Sequence, residues 1–558
     1  MKRSLRLLLI LLLIGVCSYA GTVAPDFKVT SPFSMIKIIV TFKTPPTNSI
    51  FSQFSGKGAV TQKQFHHFPN TVVFSVPQIA VPIIAQIPGV KYVSPDRTVV
   101  RHLDLTTATI GSTIANSYGW TGKGIGVAVI DSGIDTTNPD LNVAGTNISR
   151  VVYSEDFVGT GTTDFYGHGT HVAGIIGGNG ANSNGRYHGI APQVNLINLR
   201  ALDANGAGTD SAVIAAIDRA IDLQQTYNIR VINISLGRVV YESFLNDPLC
   251  QAVESAYQAG ITVVVAAGND GRDNSVNSMG YGTITAPGND PFAITVGAMK
   301  TEGTTNRSDD LVASYSSKGP TLVDHFVKPD IVAPGNIIAS LRVPGSTLDQ
   351  EYPQNQVQPS VYGGATNAPA AYFTLNGTSM ASPVVAGTVA LMLQQNPSLT
   401  PDQIKGRLML TATKNFPTSS VAVDPDTGIS YVAYYDVFTI GAGYLDVMAA
   451  LNSTALPDGI TPSPVAVINS STGTISVVNP DSIAWSDSIA WSDSIAWSDS
   501  IAWSDSTVWG ASAVASDTNV ANATAAPLTQ GSSSVWKAKT AWANMTPGAT
   551  STSVKGEK

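Results

Sequence analysis

Between residues 106 and 455 short apolar runs alternate with stretches of helical pattern, and this alternation restricts the fold more than any other feature of the chain. Ile125–Ile130, Val194–Leu199, Arg230–Ser235, Ile261–Ala266 and Ala293–Val296 read as strands, mostly apolar on both faces. Ser211–Leu223 carries Val213, Ile214, Ile217 and Ile221 at helical spacing, and Asn246–Gly260 opens near Pro248 and closes at Gly260. Strands without a polar face, separated by helices, predict an α/β fold with a mainly parallel sheet covered on both sides. Leu341–Tyr372, long and containing Pro and Gln, reads as an excursion rather than a domain.

A chain of 558 residues exceeds one ordinary domain, and its flanks differ from the middle. Residues 1–20 have the pattern of a signal peptide: Lys2, Arg3 and Arg6, then the apolar run Leu7 to Val16, then Ser18-Tyr19-Ala20. The run is too short to span a bilayer, and no later stretch is long and apolar enough to do so. Residues 21–105 read as a small α/β domain, with strands at Met35–Phe42, Thr71–Val76 and Val90–Val93 and a helix at Ile79–Ile87. His66 and His67 fall in a loop with no further ligands nearby. After residue 455 the composition turns to Ser, Thr, Ala and Pro, and the extension 456–558 holds seven of the eight tryptophans. Residues 481–504 are four copies of Asp-Ser-Ile-Ala-Trp-Ser, with a decayed fifth at 505–510. An even repeat keeps its phase on a strand, so Ile483, Trp485 and Asp487 would share a face; a low-complexity spacer is the other reading. A net charge of −8 argues against a nucleic-acid partner. Of the two cysteines, Cys17 lies in the leader, which leaves Cys250, on an apolar helical stretch, as a buried thiol without a disulfide partner.

Four segments carry the chemistry. Val127-Ala128-Val129-Ile130-Asp131 is an apolar strand ending in a carboxylate, and catalytic groups in open parallel sheets gather at carboxyl ends of strands. Gly167-His168-Gly169-Thr170-His171 leads into an apolar helix. Val263–Gly268 is a buried strand delivering Asn269, an amide donor. Asn376-Gly377-Thr378-Ser379-Met380-Ala381-Ser382-Pro383 turns sharply into the apolar run Val384 to Leu393, which places Ser379 at a helix N-terminus, with Pro383 expected in the first turn. Each has a plainer reading by itself: a turn Asp, a histidine pair without a third metal ligand, a turn Asn and a capping Ser.

Taken together, Asp131, His168, Asn269 and Ser379 in this order resemble the subtilases, the subtilisin-like serine peptidases. Leu202–Gly208, Ser235-Leu236-Gly237 and Gly441–Leu445 add to the likeness, which spans about 106–451. The resemblance implies a three-layer subtilisin-like fold and a secreted serine endopeptidase acting on proteins or peptides. It implies Ser379 as nucleophile, His168 as base, Asp131 as its orienting acid, and Asn269 with the Ser379 N–H as oxyanion donors. It further implies that an extended substrate lies between Ser235-Leu236-Gly237 and Gly206-Ala207-Gly208, where small residues admit its backbone. The first specificity pocket would be lined by Leu236, Ala266, Ala267 and Gly268, with no charge evident. Residues 21–105 become an inhibitory propeptide, cut off by the enzyme itself. No cofactor is needed for the chemistry; structural calcium is the family's usual ion, with Asp140 at a ligand position, although the loop Asn179–Arg186 departs from the usual calcium loop. An inactive scaffold that binds peptides is the alternative, opposed by the intact set. A serine esterase is opposed by the absence of Gly-x-Ser-x-Gly around Ser379.

Overall fold

The structure is a computed structural model that describes residues 21–23, 27–64, 69–95, 106–275, 277–424, 427–457, 459–468, 475–478 and 557. The leader, His66, His67 and the repeats lie outside the described residues. The chain divides into two units, Met1–Arg101 and His102–Lys558.

The first unit is a five-stranded sheet of order β1-β5-β2-β4-β3, formed by β1 (Thr22–Val23), β2 (Met35–Phe42), β3 (Val60–Gln64), β4 (Thr71–Pro77) and β5 (Val90–Pro95). In β2 the alternate residues Ile38, Val40 and Phe42 are buried, as period two requires. Phe54 of α1 (Asn48–Ser55) packs on Phe74 of β4 with ring centroids 4.6 Å apart. This helix and β3 had no clear sequence signal. The helix expected at 79–87 is shorter: one 3₁₀ turn, Gln78–Ala80, then α2 (Val81–Ala85).

The second unit is built on an eight-stranded sheet. Its order is β12-β11-β10-β9-β6-β8-β7, with β13 also paired to β11. These strands are β6 (Gly126–Asp131), β7 (Val151–Asp156), β8 (Asn195–Arg200), β9 (Ile229–Ile234), β10 (Thr262–Ala266), β11 (Ile294–Lys300), β12 (Leu311–Val312) and β13 (Ile331–Pro334). All pairs are parallel except β11–β12. The chain lays β7 and β8 on one side of β6, then crosses to lay β9, β10 and β11 on the other. The order therefore reverses at β6, and crevices in such sheets open beyond the carboxyl ends at the reversal.

Each strand feeds two cores. Val127 and Val129 of β6 face one cluster, which includes α3 (His168–Gly177) and α6 (Thr378–Gln395). Ala128 and Ile130 face the other, with α4 (Asp210–Asp222) and α5 (Pro248–Gln258). This is the three-layer α/β architecture that the apolar strands implied. Helix α6 is buried from Thr378 to Leu393, which explains a sequence apolar on all sides. Cys250 on α5 is buried, and burial pushes its thiol well above the ordinary range, as an inert core thiol requires.

The packing continues past residue 455, where the sequence reading ended this unit. Ser463 donates to Asp330 at 2.6 Å, and the same carboxylate holds Lys328 at 2.7 Å and Lys405 at 3.1 Å, all buried. Beyond it, β18 (Val465–Ile468) pairs with β19 (Ile475–Val478), after β14 (Ile338–Leu341) with β15 (Tyr372–Leu375) and β16 (Ser419–Val423) with β17 (Ser430–Tyr434).

Candidate active site

Asp131 ends β6 at the reversal point, 1% exposed. Its Oδ1 lies 2.7 Å from Nδ1 of His168, which is fully buried at the start of α3. The strand and helix approach closely because Gly169 lacks a side chain: a Cβ there would sit 2.2 Å from the Gly133 carbonyl and 3.1 Å from the Asp131 Cβ. Gly167, at φ 99°, makes the turn into the helix. The free N–H groups of that first turn find partners in side chains. Gly169 N–H donates to Ser132 Oγ at 2.9 Å, and Thr170 N–H donates to Asp164 at 2.8 Å. Asp164 also accepts from Gly167 N–H and from Ser132 Oγ. It is buried, which raises its pKa against the lowering effect of these donors. Neither Asp164 nor Ser132 was singled out in the sequence. An Asp three residues ahead of a Gly-His-Gly turn is the signal that could have found it.

His171, the other histidine of the motif, faces the carbonyls of Ile338 at 3.1 Å and Phe373 at 3.0 Å. Burial depresses its pKa to about 3, so it is a neutral structural residue.

Ser379 stands on the second residue of α6, as expected, but the helix begins five residues before Pro383. Pro383 therefore lies inside the helix rather than in its first turn. Its missing N–H would have bonded the carbonyl four residues back, which is that of Ser379. Ser235 Oγ donates to this carbonyl instead, at 3.0 Å, and is itself joined to Ser382 Oγ at 2.9 Å and Asn233 Nδ2 at 2.8 Å. The Ser379 hydroxyl donates to the Ser235 carbonyl at 3.0 Å. Thus Ser235 holds the turn at Ser379 from both its side chain and its main chain.

Asn269 follows β10 by three residues. Its Oδ1 accepts from Thr378 N–H at 2.8 Å and from Thr378 Oγ1 at 3.1 Å. A main-chain N–H can only meet an acceptor, so this pair fixes the amide with Nδ2 turned away from Thr378. Leu236, Gly237, Ala266, Gly268, Asn269, Thr285, Thr378 and Ser379 line one cleft, together with Asp270. Ala267 is fully buried beside them. Gly268, at φ 108°, and Gly237 leave the space that Thr285 fills: a Cβ would meet its side chain at 2.9 and 2.5 Å respectively.

Two features depart from the sequence reading. The cleft does contain an ionisable group, Asp270, whose carboxyl is pushed up to about 6 by burial first and by Asp273 second. And Gly206 and Gly208 owe their smallness to packing beneath them. A Cβ on Gly206 would lie 2.7 Å from the Tyr166 ring, and one on Gly208 would lie 2.4 Å from the Ala201 carbonyl.

Asp140 does not fit a calcium ligand. Its Oδ1 accepts from Asn182 N–H at 2.7 Å and its Oδ2 from the Tyr372 hydroxyl at 2.6 Å. The Arg150 guanidinium, held to the Asp140 carbonyl at 2.9 Å, supplies the nearby positive charge. A cation would meet donor hydrogens and a fixed cation, so no metal role is derived for this residue.

The comparisons with known proteins agree with this geometry. The subtilase family model matches residues 122–429. Serine protease AprX of Bacillus subtilis strain 168 is 40% identical over 332 residues, which is 58% of this chain and 69% of that protein. Subtilisin E of the same strain is 34% identical over 365 residues, 64% of this chain and 79% of that protein. An extracellular serine proteinase of Thermus sp. strain Rt41A is 33% identical over 371 residues, 64% of this chain and 75% of that protein. Since the match takes in more than half of the 558 residues and covers every segment from Asp131 to Ser379, the chain belongs to the subtilase family and is a serine endopeptidase.

Proposed function

We propose that Asp131, His168 and Ser379 form the catalytic triad of a secreted endopeptidase made as a self-processed precursor. Ser379 Oγ attacks the scissile carbonyl while its proton passes to Nε2 of His168. The proton now given to the Ser235 carbonyl must therefore be redirected, a tightening expected on substrate binding. Asp131, bonded to Nδ1, keeps the tautomer that leaves Nε2 as acceptor and stabilises the imidazolium that forms. His168 then hands the proton to the leaving amine as the C–N bond breaks, and water, deprotonated by His168 in turn, displaces Ser379 Oγ from the acyl-enzyme and returns its proton. The oxyanion meets Asn269 Nδ2 and the Ser379 N–H at the positive end of α6. The observation that carries this reading is the buried 2.7 Å Asp131–His168 contact at the reversal point of the sheet.

The substrate runs as an added strand between Ser235–Gly237 and Gly206–Gly208, its first side chain entering the cleft beside Leu236 and Gly268. Residues 21–105 serve as the inhibitory propeptide. The basic and apolar leader supports secretion, as does the word extracellular in the name of the Thermus relative; among the described residues no helix is long and apolar enough to cross a membrane.

The test is processing. The wild-type chain should cut itself between Arg97 and Gly111, and Ser379→Ala should yield a precursor beginning near Gly21. Normal maturation of pure Ser379→Ala protein, with no other protease present, would refute self-processing.

A further inference from the structure

Glu557 is separated by 221 to 285 residues from everything it touches, yet it is 6% exposed and fully engaged. Its carboxylate meets the Arg272 guanidinium at 2.6 Å and accepts from Ser314 N–H at 3.0 Å and from the Ser314 hydroxyl. Its main chain pairs with one side chain: Glu557 N–H donates to Asn336 Oδ1 at 2.9 Å, and Asn336 Nδ2 donates to the Glu557 carbonyl at 2.9 Å. Arg272, Ser314 and Asn336 are themselves buried or nearly so. Arg272 is further fixed by Asp424 at 2.9 Å, by Ser314 Oγ at 2.6 Å and by the Tyr431 ring 4.6 Å away.

We propose that Arg272, Ser314 and Asn336 form a docking site for a glutamate residue, read through both its carboxylate and its main chain, and that its occupant is Glu557 of the same chain. A charge-assisted contact reads the carboxylate, and the Asn336 amide reads the main chain as a neighbouring strand would. Both kinds of recognition converge on one residue, whereas a chance surface contact would use only exposed side chains. The site also lies directly behind the catalytic turn. Gly271 N–H donates to the Tyr315 carbonyl, Gly335 accepts from Gly377 N–H at 2.9 Å, and Ile337 N–H donates to Asn376 Oδ1. Docking therefore braces the segments that carry Asn269 and the approach to Ser379.

Hydrogen exchange on the full chain, blocked with a serine phosphonate to prevent self-digestion, tests this. Among the described residues, the Ser314 amide donates to Glu557 alone. In Glu557→Ala it should exchange at least threefold faster, while β9 and β10 amides keep their rates. Exchange within threefold of wild type in the folded variant would overturn the proposal. Should Glu557→Ala fail to accumulate, Glu557→Leu is read by the same threshold, since it fills the space, keeps the main-chain pairing with Asn336 and removes the acceptor for the Ser314 amide.

Discussion

The helix starts that carry His168 and Ser379 are built alike and finished differently. Each follows a glycine with positive φ, each is buried from its first residue, and each has first-turn polar groups met by side chains from outside the helix. For α3 the partner is a carboxyl group, Asp164, with Ser132 beside it. For α6 the partners are neutral: the Asn269 amide and the Ser235 hydroxyl. Under the proposed mechanism, the neutral groups near Ser379 leave the helix's positive end available to an oxyanion.

The comparison can be broken at four points. The largest effect is expected at the neutral end. Asn269→Ala should lower kcat by about 10²–10³ with little change in KM, the cost known for the corresponding donor in subtilisin; steady-state kinetics on a short peptide check it, and an unchanged kcat would make Asn269 structural only. Next is the acidic end. Asp164→Asn places an amide among three donors, so kcat should fall about tenfold as His168 loses its fixed position, with a stability loss of about 1–3 kcal/mol by thermal unfolding. Ser235→Ala should cost less, about two- to fivefold in kcat, because it leaves the Ser379 carbonyl, the Asn233 amide and the Ser382 hydroxyl each one partner short rather than setting donor against donor.

The smallest effect concerns Asp270 and appears only with pH. Its carboxyl ionises near 6 in the fold, against 3.8 ordinarily. The unfolded chain therefore ionises first as pH rises, and stability is lost between about pH 4 and pH 6. Asp270→Asn should raise stability by about 1–3 kcal/mol at pH 8 and by nothing below pH 4. A gain independent of pH in chemical denaturation would assign the effect to packing instead.

Much of this was legible in the sequence, for physical reasons. Apolar strands in regular alternation with helices left one sheet type open, and the observed ends of β6, β8, β9 and β10 fall within a residue of those expected. The motifs singled out Asp131, His168, Asn269 and Ser379 because each local pattern is short and rigid, and the structure sets Asp131 against His168 and Asn269 against the turn before Ser379. Ser132 and Ser235 were not legible, since they act through contacts far apart in sequence, whereas Asp164 carried a local signal three residues ahead of Gly167 that went unread. Pro383 misled because its position relative to the helix start depends on Ser235, which lies 144 residues away. Asp270 was hidden because a pocket's charge depends on which side chains the fold turns into it. The packing past residue 455 was not legible, because Ser, Thr and Pro look like linker until Ser463 is seen closing a buried ion pair.

The most direct measurement is the site of covalent capture. The mature enzyme treated with a peptidyl serine phosphonate and digested for mass spectrometry should carry one adduct, on Ser379. His168→Ala should lose that adduct at matched reagent concentration, because the nucleophile is no longer deprotonated. An adduct on another residue, or full labelling of Ser379 in His168→Ala, would contradict the proposed roles of these residues.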